Sequence, residues 1–438
     1  MAKRTPAEFR AIVADALVHF QAGRLAEAEN AYRGALALAP ADPAVIHNLG
    51  VAIAAQGRDR TAIGYFEEAL RADPDFVSAH YNQAVALMRL GETQEAIKAF
   101  GRAAKLEPQH YQAHRALGFL WLSQGERGRA LDHFARTYEL RRGDDRTTIA
   151  LKSLTTATRH KLEHDAEQFR YLSQRTRDRL RFELLARNYR TIAEQVSNEV
   201  TTLSDAQIEV LGHDYNTPIH LRAAPEVAGR AVNEQADLAA LTAQFEAQGA
   251  IVVDDLLTPQ ALDSLRRFLL ESTIWHDFSH IDGFVASYLE DGLACPPLLQ
   301  IADELRRTFP GILGEHPLSQ AWAFKGLRPQ AAVDVHADDA TVSVNFWVTP
   351  TEANLNPDHG GLVVCRAPPP ENWEINDYDA DRERIVTFLE HQADDSLVVP
   401  YRQNRVVLFR SRLFHHSDRP EFASRYDNHR INLTLLYG

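Results

Sequence analysis

Cysteine is scarce in this 438-residue sequence. Its two cysteines, Cys295 and Cys365, cannot build a disulfide framework or a multi-thiolate metal site. Their scarcity is typical of a protein from a reducing compartment, and it directs any metal toward histidine and carboxylate ligands. We expect both cysteines to be buried as small apolar residues.

Long apolar runs and an excess of positive charge are also absent. No stretch approaches the ~18 uncharged apolar residues of a membrane span, and residues 1–20 lack a signal-peptide core, so we expect a cytoplasmic protein without a membrane partner. A net charge of −13 repels phosphate backbones and argues against nucleic acid as a partner. With 45% hydrophobic and 24% charged residues, a chain of this length should fold into two or three globular domains.

The first third of the sequence contains an internal repeat. Small, aromatic and proline residues recur in register at a constant step of 34 residues. The members are Gly23, Gly57, Gly91 and Gly125; Ala28, Ala62, Ala96 and Ala130; Ala16, Gly50, Ala84 and Gly118; Tyr32, Phe66, Phe100 and Phe134; and Pro40, Pro74 and Pro108. Small residues let two helices cross closely and proline ends a helix, so the pattern predicts stacked helical hairpins.

At these positions the sequence resembles the tetratricopeptide repeat, over residues 9–144. The resemblance implies an all-α solenoid whose concave surface holds a protein or peptide partner. Thr137 and Arg142 replace the alanine and proline of the fourth repeat, as expected where an array ends. Asn48 and Asn82 occupy equivalent positions in repeats two and three, where such arrays often bond an extended peptide. The alternative is that these asparagines are merely solvated.

Residues 145–235 are predicted to be a helical cap followed by a linker. Apolar spacings predict helices up to about residue 212, and turn signals from Asn216 to Glu234 predict an irregular linker. Between residues 146 and 190, eleven Lys or Arg stand against five acids. Such a run is usually a solvated helix face, and a docking surface for an acidic partner is the alternative.

Residues 236–438 contain short β-rich runs separated by Gly and Pro turns, which predict a sandwich or barrel. The runs are Ala250–Val253, Ala321–Phe324, Val342–Val348, Leu362–Val364, Arg405–Phe409 and Ile431–Tyr437. Two helices are predicted between the first two runs, over Pro259–Glu271 and Leu298–Phe309.

Three His-x-Asp pairs in this region begin at His280, His336 and His416. A mononuclear metal site of two imidazoles and one carboxylate can be built from such a pair and a distant histidine. His280 is followed by no β-run, and His416 leaves no room for a later strand with the third ligand. His336 and Asp338 directly precede a strand, and a later run ends in His415 and His416, so the pair at His336 has all its companions.

The order of these residues resembles the double-stranded β-helix (jelly-roll) oxygenases that depend on iron(II) and 2-oxoglutarate, especially their prolyl-hydroxylase-like members. The likeness covers about residues 240–438. It includes the turn Gly360–Gly361, the Phe-x-Ser-x-Leu-Phe-His run Phe409–His415, and Arg430 at the start of the last strand. The implied fold class is therefore multidomain, a repeat solenoid followed by a jelly-roll oxygenase domain with flanking helices.

The resemblance implies roles for individual residues. His336, Asp338 and His415 hold Fe(II). His415 is preferred to His416 because the family's ligand follows the serine of the run by four residues. Arg430 pairs with the distal carboxylate of 2-oxoglutarate, since a guanidinium fork suits a bidentate carboxylate.

Further candidates for the co-substrate pocket are Asn432 and Asn345, with Lys325 and Trp322 as weaker ones. The Arg-x-Asn-Leu-Thr string is similar to that of alkylation-repair dioxygenases, in which both polar residues contact the co-substrate. Asn345, Lys325 and Trp322 could equally be structural. The resemblance also implies ascorbate as a candidate reductant.

The two halves together predict an enzyme, a dioxygenase that hydroxylates a protein or peptide captured by the repeats. Tethering would raise the local substrate concentration. One alternative is an oxygenase that acts on a small molecule or glycan precursor, with the repeats used for assembly. Another is a non-enzymatic repeat scaffold, against which the intact ligand set counts.

Overall fold

The computed structural model describes residues 6–143, 152–279, 283–328, 331–370, 372–373, 382–392 and 395–438. The chain divides into two compact units, Met1–Trp121 and Leu122–Gly438. Within the described ranges, no helix is both long and apolar enough to cross a membrane. The division into segments 9–144, 145–235 and 236–438 stays a prediction.

The first unit is a stack of helical hairpins. Its helices are α1 (Pro6–Gln21), α2 (Leu25–Leu36), α3 (Pro43–Ala54), α4 (Asp59–Ala72), α5 (Val77–Arg89), α6 (Thr93–Leu106) and α7 (Tyr111–Ser123), the last of which continues into the second unit. Successive helices pack around a core of alanine, leucine and aromatic side chains.

The recurring small residues have two roles, of which close helix crossing is the one that the sequence predicts. The glycine that repeats every 34 residues lies in the left-handed region, with φ between 74° and 76° at all four positions, and ends the first helix of each hairpin. At Gly50 an added Cβ would lie 2.7 Å from the ring of Phe66. Because α3 and α4 cross this closely, only the smallest side chain fits there.

The second unit contains the remaining helices and all the strands. The helices are α8 (Arg127–Arg142), α9 (Arg159–Ser173), α10 (Arg179–Ala193), α11 (Asp205–Leu211), α12 (Leu238–Gln248), α13 (Pro259–Glu271), α14 (Pro296–Thr308), α15 (Pro310–Leu313) and α16 (Arg382–Glu390). The strands are β1 (Thr156–Ala157), β2 (Thr201–Thr202), β3 (Ala250–Val253), β4 (Phe284–Tyr288), β5 (Leu318–Gly326), β6 (Val342–Trp347), β7 (Leu362–Cys365), β8 (Ser396–Val399), β9 (Val406–Arg410), β10 (His415–Ser417) and β11 (Ile431–Tyr437).

Helix α8 completes the fourth hairpin of the repeat pattern, yet it packs within the second unit. Buried Arg142 donates two hydrogen bonds to the carboxylate of buried Asp291, at 2.8 and 2.7 Å. The hydroxyl of Tyr138 and Nε2 of His276 share a hydrogen bond of 2.6 Å. Arg142 occupies the position of the repeat's proline, and its guanidinium joins α8 to the β-rich region through Asp291.

Nine of the strands form two antiparallel sheets. The larger sheet has the order β3-β9-β6-β11-β5-β4 and the smaller has the order β10-β7-β8, while β1 and β2 pair separately. Side chains from the facing surfaces of the two sheets pack into one core, with Trp347, Val407 and Phe409 from the larger sheet and Leu362 and Val364 from the smaller.

The predicted elements of this region are present, with two corrections. Strands β3 and β11 and helix α13 have the predicted bounds, and the other predicted elements differ by a few residues at their ends. Strands β4 and β8 were not predicted. The run Phe409–His415 is not a single strand, because β9 ends at Arg410 and β10 begins at His415. Both cysteines are buried, as expected.

Candidate metal centre

His336 and His415 are joined through their backbones, although 79 residues separate them. The His336 N–H donates to the His415 carbonyl at 3.1 Å, and the His415 N–H donates to the His336 carbonyl at 2.9 Å. This isolated antiparallel bridge lies beside β10 and brings the ring centroids to 4.2 Å. The bridge therefore sets the separation of the two imidazoles.

Hydrogen bonds orient both imidazoles in the same way. Nδ1 of His336 donates to the carbonyl of Asp334 at 2.8 Å, and Nδ1 of His415 donates to the carbonyl of Leu413 at 3.0 Å. A carbonyl can only accept, so each Nδ1 carries the proton. A neutral ring with its proton on Nδ1 has a free lone pair on Nε2, the state in which histidine binds metals.

Asp338 contributes a carboxylate to the same point. Its Oδ1 lies 3.8 Å from Nε2 of His336, and its Oδ2 lies 3.5 Å from Nε2 of His415. The three side chains each offer a ligand atom within 4.8 Å of the others, and among the described residues they are the group of metal-binding side chains that meets this condition. Bonds of about 2.0–2.2 Å from one ion could therefore reach all three.

Two serines hold Asp338, one through its carboxylate and one through its backbone. The Ser343 hydroxyl, on β6, donates to Oδ2 at 2.6 Å and shares a hydrogen bond of 2.9 Å with the Ser411 hydroxyl. The Asp338 N–H donates to the Ser411 carbonyl at 2.9 Å. The side chain of Asp338 is thus fixed by strand β6, and its backbone is fixed by the turn that follows β9.

Burial decides the charge state of the second histidine. Burial, reinforced by the neighbouring His336, lowers the pKa of His415 to about 4. The ring is therefore neutral at pH 7 and need not lose a proton before it binds a cation.

Arg430 precedes β11 and is buried. Its Nε donates to the carbonyl of Gly360 at 2.9 Å and its Nη2 to the carbonyl of Gly361 at 3.0 Å. Burial lowers its pKa to about 10, so it keeps its charge at neutral pH. The Gly-Gly turn therefore orients a buried cation through carbonyl groups rather than through a carboxylate.

Asn432, Asn345 and Trp322 share one face of the larger sheet. Thr434 on β11 lies directly opposite both Asn345 and Trp322. Asn432 donates to the Thr434 hydroxyl at 3.2 Å, and that hydroxyl donates to Asn345 Oδ1. Asn345 follows Ser343 by two residues on β6, so both side chains lie on the same face. This face therefore also carries the Ser343 hydroxyl that donates to Asp338.

Lys325 lies on the opposite face, and its assignment to the pocket is wrong. It pairs with Ile431, which is adjacent to Asn432 on β11 and therefore points to the other face of the sheet. The Lys325 side chain thus points away from Asn345. Its ammonium group lies 3.3 Å from the ring centroid of Tyr426, and burial lowers its pKa well below the ordinary value.

His416 also points away from the metal-binding group. It follows His415 on β10 and pairs with Val363, so its side chain emerges on the other face of the smaller sheet. Asp418, the acid of that third His-x-Asp pair, accepts a hydrogen bond from His359 at 2.9 Å instead. The pair His280 and Asp282 lies outside the described residues.

Trp347 is a residue of this site that the sequence reasoning missed. It is fully buried, lies directly opposite Asn432, and its ring centroid is 5.8 Å from the Arg430 guanidinium carbon. Among the described residues its indole N–H has no hydrogen-bond partner. Strand alternation was the available signal, because Trp347 follows Asn345 by two residues.

In the repeats, Asn48 and Asn82 are linked through His47. The Asn82 amide donates to Nε2 of His47 at 2.9 Å, and Nδ1 of His47 donates to Asn48 Oδ1 at 3.0 Å. Burial lowers the pKa of His47, which keeps the ring neutral. Both asparagines remain partly exposed, so each retains polar atoms for a further partner.

The tetratricopeptide repeat family model matches residues 13–76, 47–104 and 81–145, so the N-terminal region consists of tetratricopeptide repeats. No curated protein matches the chain. A solved structure of MamA from AMB-1 is similar, with 25% identity over 32% of this chain and 75% of that one and a TM-score of 0.28.

Two further solved structures are similar to this chain at 18% identity and a TM-score of 0.27. They are the first repeat domain of Spaghetti (RPAP3) bound to an HSP90 peptide, matched over 28% of this chain and 99% of that one, and the Yersinia enterocolitica secretion chaperone SycD in complex with a peptide of the translocator YopD, matched over 27% and 97%. At these TM-scores the likenesses do not define the function of this chain.

Proposed function

We propose that the β-rich region is a double-stranded β-helix and that the protein is an Fe(II)- and 2-oxoglutarate-dependent oxygenase. The observation that carries the proposal is the convergence of His336, Asp338 and His415 at one point. Two imidazoles and one carboxylate form the facial set that suits non-haem Fe(II) and leaves coordination positions open.

The strand order is consistent with this fold. Along the chain, β5 and β6 belong to the larger sheet, β7 and β8 to the smaller, β9 to the larger, β10 to the smaller and β11 to the larger again. The bridge at His336 pairs with β10 and adds a short eighth segment to the smaller sheet. Two four-membered sheets wound in this alternating way form a jelly roll, and the added strands β3 and β4 extend the larger one.

The ligand atoms of His336, Asp338 and His415 are in states that suit the binding of iron. Both Nε2 atoms are free because Nδ1 is occupied, and His415 is neutral because it is buried. The Ser343 hydrogen bond orients the carboxylate of Asp338. Iron(II), when bound, would supply a centre that chelates 2-oxoglutarate and activates dioxygen, one oxygen atom of which would go into succinate as carbon dioxide leaves and the other into the hydroxylated C–H bond.

The chain's own residues bind and orient the co-substrate in this proposal. Arg430 would pair with the distal carboxylate of 2-oxoglutarate, at a guanidinium already oriented by the Gly-Gly turn. The indole N–H of Trp347, which has no hydrogen-bond partner in the described part of the chain, offers a second donor in the same buried region. Asn432 and Asn345 line the same face of the larger sheet. Packing between the two sheets excludes water around these groups.

A protein or peptide is the proposed substrate, captured by the tetratricopeptide repeats. The partly exposed Asn48 and Asn82, linked through His47, are the candidate contacts for an extended backbone. A test by truncation at residue 144 would also remove α8, which packs within the second unit. Substitution of Asn48 and Asn82 by alanine is therefore the cleaner way to separate capture from assembly.

The experiment that tests the chemistry is succinate formation from 2-oxoglutarate by the full chain with added Fe(II). We expect turnover by the wild type and none by His415→Ala. The matched control is His416→Ala, which changes the adjacent histidine on the other face and should keep activity. Equal loss in both variants, or no succinate from an iron-loaded wild type, would contradict the proposal.

A second candidate function is a non-enzymatic scaffold built on the repeats. The comparisons with known proteins favour it, because the family match lies in residues 13–145. In that case His336, Asp338 and His415 would bind a metal for stability alone. Metal binding without 2-oxoglutarate turnover would identify this case.

A further inference from the structure

Helix α10 exposes a stripe of side chains that the proposed enzyme does not use. Its buried face consists of Phe182, Leu185, Ala186, Tyr189 and Ile192. On the other side Leu180 is 79% exposed and Leu184 is 53% exposed. The spacing of four residues stacks these two leucines on one face, one turn apart, so they form an apolar ridge in contact with solvent.

Two arginines flank the two leucines along the chain. Arg187 follows Leu180 by seven residues and therefore lies in line with the two leucines, and Arg177 lies just before the start of the helix. Both are exposed. Arg179 and Arg181 are neutralised by Glu183 and Asp214, each at 2.7 Å, whereas Arg177 and Arg187 form no ion pair with any described residue.

The neighbouring helix α11 contributes a further exposed apolar side chain. Val210 is 41% exposed, and its carbonyl accepts a hydrogen bond from the Asn188 amide of α10 at 3.0 Å. The hydrogen bond joins the two helices at Val210, which adds a third exposed apolar side chain to this part of the surface. We name Arg177, Leu180, Leu184, Arg187 and Val210 the α10 face.

We propose that the α10 face docks an acidic amphipathic helix of a partner protein. Leucines one turn apart form a ridge that packs into the groove of a second helix, and helix-on-helix docking uses this spacing. Carboxylates on the incoming helix pair with the unneutralised Arg177 and Arg187. The positive charge of Arg177 and Arg187 contrasts with the net charge of −13 of the whole chain. The α10 face therefore attracts an acidic partner, which the rest of the surface repels on average.

The test uses the full chain and three synthetic 18-residue peptides of defined design, with binding measured by fluorescence anisotropy. The first carries leucines at helical spacings i, i+3, i+4 and i+7 with glutamates elsewhere. The second has lysine in place of glutamate, and the third has the same composition as the first in scrambled order. We expect the acidic amphipathic peptide to bind at least tenfold more tightly than the other two.

Two variants assign the binding to the α10 face. Leu184→Glu and Arg187→Glu should each weaken the acidic peptide at least tenfold, and raised salt should weaken it further in the wild type. The matched control is Leu221→Glu, which alters another exposed leucine of the second unit and should leave binding unchanged. Because these side chains are exposed, the variants should keep the wild-type circular dichroism spectrum.

Four results would overturn the proposal. These are equal binding of acidic and basic peptides, no effect of Leu184→Glu, binding of phosphatidylserine vesicles in place of the peptide, and self-association of the chain that Leu184→Glu abolishes. None of these measurements depends on iron or 2-oxoglutarate, so the outcome is separate from that of the proposed oxygenase activity.

Discussion

The substitution Ser343→Ala should weaken metal binding without removing a ligand. The Ser343 hydroxyl donates at 2.6 Å to Oδ2 of Asp338, the oxygen that lies 3.5 Å from Nε2 of His415. A hydrogen bond to a charged group contributes about 1.5–3 kcal/mol. At about 1.4 kcal/mol per tenfold change in affinity, its loss should weaken metal binding roughly ten- to a hundredfold. Outer-shell substitutions in other metal sites typically cost ~10–100-fold.

Anaerobic calorimetric titration of the apoprotein with Fe(II) measures this effect. Ser287→Ala is a matched control, because Ser287 is also a buried strand serine of the larger sheet and its hydroxyl has no hydrogen-bond partner among the described residues. It should leave the affinity unchanged. If Ser343→Ala weakens binding less than about threefold, a difference of roughly 0.6 kcal/mol, or no more than Ser287→Ala does, the role assigned to the Ser343 hydroxyl is refuted.

Three further predictions concern stability, the co-substrate and pH. Arg142→Met removes both of its hydrogen bonds to buried Asp291 and leaves that carboxylate with the Arg141 guanidinium at 3.5 Å. It should destabilise the second unit by up to about 3–5 kcal/mol in chemical denaturation, whereas adding Asp291→Asn should recover part of this loss. Arg430→Lys replaces a bidentate fork with a point charge, so 2-oxoglutarate affinity measured by titration should fall roughly tenfold or more while Fe(II) affinity is kept. Burial lowers the pKa of His160 from 6.5 to about 4. The unfolded chain therefore binds the extra proton first, stability should fall as pH drops from 6.5 toward 4, and the thermal midpoint of His160→Gln should fall less over that window.

Local patterns made the repeats predictable. The glycine, small-residue and aromatic positions each recur four times at a step of 34 residues, and the proline position recurs three times, so the positions reinforce one another. The bounds of α13 were equally clear, because Thr258 caps its N-terminus and Pro259 occupies the first turn. Five of the seven residues of strand β11 are apolar, which is typical of a buried strand.

The backbone bridge and the ion pair that join distant segments could not be predicted from local patterns in the sequence. The bridge between His336 and His415 is one residue pair long, which is too short for a periodicity to detect. The buried pair of Arg142 and Asp291 joins residues 149 positions apart. Nothing local to Arg142 distinguished an anchor of α8 from an exposed residue at the end of an array.

A shift of one residue along a strand moves a side chain to the other face of the sheet, so predictions of which face a residue occupies are sensitive to single positions. Lys325 and Trp322 are both weaker pocket candidates in the sequence, but the two residues are three apart on one strand and so point to opposite faces. Trp347 was overlooked although alternation puts it on the same face as Asn345. Strand β8, with an exposed Val398, has too weak an apolar pattern to be predicted.

The most direct test of the central claim is anaerobic absorption spectroscopy of the full chain with Fe(II) and 2-oxoglutarate. We predict a weak visible charge-transfer band for the wild type, which reports 2-oxoglutarate chelated to iron, and no band for His336→Ala. A wild type that binds iron stoichiometrically but lacks the band, or a His336→Ala variant that keeps it, would contradict the assignment of His336, Asp338 and His415 as the iron ligands of an oxygenase.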